Sequence, residues 1–295
     1  MKKEHTVENK YVTSSFFHNE IKKKSIERNA EKYSLILFYI FSTNYNLNLH
    51  LKMRYQILLI ITISFISCEK EVSEKNYDTA RILSYEVNPK KSNLQFCWKN
   101  EQGQIYGNAK NLKAQLQTKG QELIFAMNGG MYKKDQSPQG LYVENGSIIT
   151  PIDDKKVGYG NFYLQPNGIF YITKDNVAAI CVTDALNVAK RNIKYATQSG
   201  PMLVIDGRLH AKLNQGSKNL NIRNGVGVLP NGNLLFAMSK EKINFYDFAT
   251  FFKQNGCKNA LYLDGFVSKT YLPEKNYEQL DGNFGVMIVI VTSEE

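Results

Sequence analysis

Four dipeptides constrain this chain more than anything else in it. Asn145-Gly146 sits between apolar runs in LYVENGSIIT, Asn167-Gly168 in NFYLQPNGIFYIT, Asp206-Gly207 in MLVIDGRLH and Asn231-Gly232 in GVGVLPNGNLLFAMS. Both central residues of a type I′ turn need φ > 0, which Asn-Gly and Asp-Gly tolerate, so each segment reads as a β-hairpin. Four hairpins predict largely antiparallel sheet. Single strands are expected at 81–87, 94–98, 123–127, 177–182, 259–263 and 285–292, the last apolar on both faces and therefore central. Helices are expected at 111–120, 184–192 and 243–256. The third has Asn244 as cap, a stripe of Phe245, Phe248 and Phe252, and Gly256 as stop. The expected architecture is α+β: one domain of mostly antiparallel or mixed sheet with a few helices.

The chain ends carry a different message. From Met53 the sequence shows one positive charge at Arg54, an apolar run from Ile57 to Ile66, then Ser67-Cys68. That is a signal-peptide layout, and the run is short of the roughly 20 residues of a spanning helix. Cys68 follows a small residue, as at a lipoprotein cleavage site, with Phe65 where leucine is usual. We expect residues 1–52 to lie upstream of the true start and 53–67 to be a cleaved signal. We further expect acylation at Cys68, a charged tether over 68–78 and a folded domain over 79–295. The implied location is the cell envelope, periplasmic or surface-exposed, with the lipid on Cys68 holding the protein to a membrane.

Removing residues 1–67 leaves 27 basic and 22 acidic residues, half of the formal +10 charge. That is ordinary for a soluble domain and gives no reason to expect nucleic acid. Cys97, Cys181 and Cys257 are odd in number and widely spaced, so buried free thiols are expected rather than a disulfide framework. His210 is the one histidine after Cys68. A histidine-rich zinc site is excluded, and a Ser-His-Asp triad would need that residue, for which an exposed strand position is the commoner role. Proton transfer should fall to carboxylates, which favours glycosidic or phosphodiester chemistry over acyl transfer.

Several apolar runs meet small polar residues. LIFAMNGGMY ends on Asn128-Gly129-Gly130, ATQSGPMLV places Ser199-Gly200 before a strand, NLNIRNGVGVL places Arg223-Asn224-Gly225 before another, and NALYLDGFVSKTYL follows a strand with Asp264-Gly265 and then Ser268. Glycine at such points permits special φ/ψ or close approach to a ligand, and free backbone N–H groups can bind an anion. Taken singly, each motif is more commonly a turn than a site.

Taken together, AMNGGMY, GLYVENG, GNFYLQPNG, ATQSGPMLVIDG, IRNGVGV and NALYLDGFVS resemble, in order and spacing, the bacterial phosphodiester glycosidase family. That family is similar to the catalytic region of the mannose-6-phosphate uncovering enzyme, an N-acetylglucosamine-1-phosphodiester alpha-N-acetylglucosaminidase. The resemblance covers roughly residues 95–292. It departs at the last motif, where Phe266 and Val267 stand in place of two glycines, which bears on the sugar accepted.

The resemblance implies hydrolysis of a sugar-1-phosphate diester through an oxocarbenium-like state. Asp264 is the candidate catalytic carboxylate. Arg223 is the candidate cation, offering a bidentate fork to phosphate. Asn128, Gly129, Gly130, Ser199, Gly200 and Ser268 are candidate substrate contacts, through backbone donors or side-chain hydrogen bonds. No cofactor is expected, and assistance by a divalent metal stays open. The alternative, from another class, is a non-catalytic glycan-binding envelope lipoprotein of the same fold.

Overall fold

A computed structural model describes residues 80–188, 191–264 and 267–292. These belong to one compact unit, Ser73–Glu295. The expected signal segment, Cys68 and the tether lie outside the described residues.

The domain is mostly β, built from three sheets. Every described strand pairing is antiparallel. The first sheet runs in the order β1 (Ile82–Val87), β12 (Leu234–Ser239), β11 (Asn224–Val228), β13 (Asn259–Asp264), β9 (Met202–Ile205) and β10 (Arg208–Leu209). The second contains β15 (Tyr277–Glu278), β14 (Thr270–Leu272), β3 (Leu123–Asn128), β16 (Met287–Val291) and β2 (Asn93–Cys97). The third contains β5 (Ser147–Thr150), β4 (Tyr142–Glu144), β8 (Ile193–Ser199), β6 (Gly168–Thr173) and β7 (Ala178–Val182). The apolar strand β16 lies between β3 and β2, buried along its whole length.

Alternation along the strands divides the apolar residues between layers. On β12, Leu234, Phe236 and Met238 face a core shared by all three sheets, while Leu235 and Ala237 face the helix α2 (Phe245–Gln254). In the shared core Phe236 meets Phe125 at 5.1 Å and Phe170 at 6.3 Å between ring centroids, so one aromatic from each sheet joins the layers. The phenylalanine stripe of α2 packs on the outer face of the first sheet, and Asn244 Oδ1 caps it by accepting the Asp247 N–H at 2.8 Å. The helix α1 (Ala109–Thr118) covers the outer face of the second sheet through Leu112 and Leu116. The helix expected over 184–192 is not present among the described residues. A single 3-10 turn, Thr183–Ala185, stands at its start.

The glycine dipeptides behave differently from one another. Asn145-Gly146 joins β4 to β5 with φ of 50° and 83°, and Asp206-Gly207 joins β9 to β10 with φ of 47° and 77°. Asn231-Gly232 lies in the longer loop between β11 and β12. Asn167-Gly168 makes no hairpin. Asn167 is buried, donating to the Phe162 carbonyl at 3.1 Å and accepting from Thr183 Oγ1 at 2.8 Å, and Gly168 opens β6. The chain turns back later, around Asn176, where φ is 55°.

Two further expectations need correction. His210 is buried, not exposed: its Nδ1 accepts the Lys212 N–H at 3.1 Å, and burial, partly offset by the Gln165 backbone, pushes its pKa down. Of the three cysteines among the described residues only Cys257 is fully buried; Cys97 and Cys181 are half-buried. Burial still pushes the Cys97 thiol up to about 12, well away from a reactive thiolate.

Candidate functional site

The ends of strands from all three sheets meet around one buried side chain, Asn224. On β11 it stands opposite Asp264 of β13, just before a register shift that leaves Leu263 as the extra residue. Its Nδ2 donates to both the carbonyl and Oδ1 of Asn128 at 2.9 Å, and its Oδ1 accepts the Asp264 N–H at 2.8 Å. One amide thus ties the end of β3 in the second sheet to the end of β13 in the first. Asn128 Oδ1 accepts a second bond from the Lys269 N–H at 3.0 Å, while its Nδ2 is buried without a partner. From the third sheet, Ser199 at the end of β8 donates to the Leu263 carbonyl at 2.7 Å. Ser268 donates to the Asp264 carbonyl and closes the loop after β13. The hydroxyls of Ser199 and Ser268 therefore hold the backbone on either side of Asp264.

Arg223 is fully buried, although a surface salt bridge would be the ordinary fate of such a residue. Its guanidinium lies 3.5 Å from the ring centroid of Phe245, the first residue of α2, in cation–π contact. Nε donates to the Ile243 carbonyl at 2.8 Å and Nη2 to the Asn219 carbonyl at 2.7 Å. Nη1 is buried without a hydrogen-bond partner, and the Tyr262 hydroxyl interacts with the guanidinium. The two-pronged grip on phosphate expected of Arg223 is thus committed to protein carbonyls. The residue clamps the loop before β11 to the entrance of α2.

Tyr262, two residues before Asp264 on β13, links these parts. It is buried, and its hydroxyl interacts with both Arg223 and Asn161. Burial raises its pKa, the Asp264 charge raises it further, and Arg223 opposes both. Tyr132 responds likewise: burial first, then the Asp264 charge, lift its phenol above the usual range. The half-buried Asp264 carboxylate therefore sits within the electrostatic reach of two phenols that stay protonated at neutral pH.

Close packing explains two of the glycines. A Cβ on Gly130 would lie 2.4 Å from Thr197 Oγ1, and one on Gly200 would lie 2.8 Å from the Phe162 carbonyl oxygen. Gly129 does not offer an anion its N–H, which is bonded to the Val286 carbonyl at 2.8 Å. Among the described residues, no three His, Cys, Asp or Glu side chains gather as a metal site.

The sequence profile of the phosphodiester glycosidases matches residues 121–290, more than half of the chain and the whole span from β3 into β16. The chain belongs to the phosphodiester glycosidase family. A relative, the uncharacterized protein YigE of Escherichia coli strain K12, is 36% identical over 195 residues, which make up 66% of this chain and 75% of YigE. Among solved structures, the chain is similar to the catalytic domain of zebrafish N-acetylglucosamine-1-phosphodiester alpha-N-acetylglucosaminidase, auto-inhibited by its pro-peptide. There the identity is 15%, the coverage 73% of this chain and 85% of that one, and the TM-score 0.48. A hypothetical protein from Synechocystis gives 15% identity, 72% and 59% coverage, and a TM-score of 0.47.

In this family member, Asn128, Ser199, Asp264 and Ser268 are joined through Asn224 and the end of β13, and Arg223 reaches the same end through Tyr262. In the sequence Asn224 stands out only as part of Arg223-Asn224-Gly225, and Tyr262, Asn161 and Tyr132 belong to none of the candidate sets. Tyr262 had a readable signal: a tyrosine hydroxyl in an otherwise apolar central strand has to find a partner.

Proposed function

We propose that this chain hydrolyses a glycosyl phosphodiester in the cell envelope, breaking the bond between an anomeric carbon and a phosphate oxygen. Membership of the phosphodiester glycosidase family supports the reaction class. The observation that carries the site is the Asn224 amide, which holds Asn128 and Asp264 in one cluster although they lie far apart in sequence.

In this reading the Asp264 carboxylate stabilises the positive charge that develops at the anomeric carbon. The departing phosphate monoester is a weak base and needs little protonation. The protonated Tyr262 hydroxyl lies in the carboxylate's field and supplies a hydrogen bond to a substrate oxygen, while the Tyr132 hydroxyl, which donates to the Asn283 carbonyl, lines the same field. Arg223 acts from behind Tyr262 as a buried positive charge rather than as a direct phosphate ligand. Water completes the hydrolysis, leaving a free sugar and a phosphate monoester. The zebrafish enzyme's name points to N-acetylglucosamine as one sugar to try first. The signal layout before Cys68 supports an acylated, membrane-held protein, and mass spectrometry of the membrane fraction should find a chain beginning at lipidated Cys68.

Asp264→Asn tests the catalytic assignment. It removes the charge while keeping size, and the backbone N–H bonded to Asn224 is untouched. Turnover of a glycosyl phosphodiester should be abolished with the melting temperature nearly unchanged. If wild-type protein binds the sugar but neither it nor the variant turns the diester over, the non-catalytic glycan-binding reading replaces this one.

A further inference from the structure

We propose that the cavity behind Ser268 and Lys269 seats the phosphate and its alcohol, so that the substrates are glycosyl phosphodiesters of small polar alcohols; this rests on the glycosidase reading above. The cavity measures about 270 Å³ and is bounded by Met238, Ser239, Lys240, Ser268, Lys269 and Tyr277, among others. It shares a wall with the Asp264 cluster: the Ser268 hydroxyl is bonded to the Asp264 carbonyl, and the Lys269 N–H to Asn128 Oδ1.

Its lining suits an anion attached to a short carbon skeleton. A phosphodiester carries one negative charge, and Arg223 is buried with two of its nitrogens already bonded to carbonyls. Lys240 and Lys269 supply positive charge at the cavity instead. Lys269 is held by Asp281 at 2.9 Å, in a pair whose acidic partner is 74% exposed. Such a pair is worth no more than about 1 kcal/mol, so a phosphate can compete for the lysine. The Ser239 hydroxyl accepts the Arg223 N–H at 2.9 Å and keeps its own proton to donate. Met238 and Tyr277 give an apolar wall for carbon. At roughly 30 Å³ per water, the space holds on the order of nine waters. That suits a phosphate with a few-carbon alcohol.

The test uses the full chain, a Lys240→Gln/Lys269→Gln double variant and the matching arginine double variant. Titration with glycerol 3-phosphate measures the cavity directly, and hydrolysis of an N-acetylglucosamine 1-phosphodiester of glycerol measures it in turnover. The expected result is binding at least tenfold weaker in the glutamine variant, a KM for the diester raised at least tenfold with a smaller change in kcat, and recovery of most of both losses with arginine. Turnover by wild type with a KM that the glutamine variant leaves unchanged overturns this proposal and leaves the glycosidase reading standing. Lysine-dependent binding of glycerol 3-phosphate without any turnover does the reverse. Absence of both binding and turnover in the wild type removes both.

Discussion

Replacing Asn224 by alanine should show how much of the site rests on one amide. Asn224 is fully buried and makes three hydrogen bonds of 2.8 to 2.9 Å. Alanine removes all three. Asn128 Oδ1 keeps the Lys269 N–H, but the Asn128 carbonyl loses a donor and the Asp264 N–H loses its acceptor. A buried polar group left unmade costs about 1–3 kcal/mol. With two such groups, and water entering part of the vacated space, the loss should be about 2–4 kcal/mol. For a domain of this size each kcal/mol lowers Tm by roughly 2–4 °C, so Tm should fall by about 5–15 °C. Thermal unfolding followed by circular dichroism measures the fall. Amide hydrogen exchange should also quicken at Asp264 and Lys269, because the loop after β13 loses its tie to β3. A Tm within 2 °C of wild type, with unchanged exchange at both amides, would refute the claim that Asn224 holds these strand ends together.

Other substitutions probe the neighbouring elements. Arg223→Lys cannot reproduce bonds to both the Ile243 and Asn219 carbonyls, so it should cost about 2–4 kcal/mol and make residues 211–222 easier to cut in limited proteolysis. His210 is pushed below its usual pKa by burial, so on acidification the unfolded chain takes up the proton first. Its contribution to stability is present above pH about 6.5 and is lost as pH falls toward the folded value. His210→Gln should therefore flatten the drop in unfolding free energy between pH 7 and pH 5, measured in urea, while the folded protein keeps its turnover. Gly200→Ala sets a Cβ against the Phe162 carbonyl and should destabilise by about 1–3 kcal/mol, visible as a lower urea midpoint.

The strands were readable because their signals are local. The Phe245, Phe248 and Phe252 stripe with its Asn244 cap becomes α2, and the apolar run near the C-terminus becomes the buried β16. Asn167-Gly168 misled because the same dipeptide that makes a turn can also bury its amide against Phe162 and Thr183, and the partners are not visible in the local sequence. The same limit applies to the site. Asn128, Ser199, Asp264 and Ser268 could be found as polar residues where apolar runs stop. Whether a guanidinium there faces solvent or two carbonyls is decided by residues 219 and 243, which carry no mark of that role. Asn224 was hidden for the same reason: a buried asparagine is informative only once its partners, 96 and 40 positions away, are known.

Those separations bear on the order in which the molecule is made. The ties at Asn224 close loops of 96 and 40 residues, and the Lys269 N–H reaches Asn128 across 141. Contacts this distant are slow to form, because chain entropy is spent before they stabilise anything. The Asn224 cluster should therefore assemble no earlier than the long-range strand pairings that carry it. A chain emerging from synthesis has no site until β13 and the segment through Lys269 have joined β3 and β11. Formation of the cluster would consequently report long-range strand pairing rather than collapse of the core, and anything that delays pairing of these strands would delay it by the same interval.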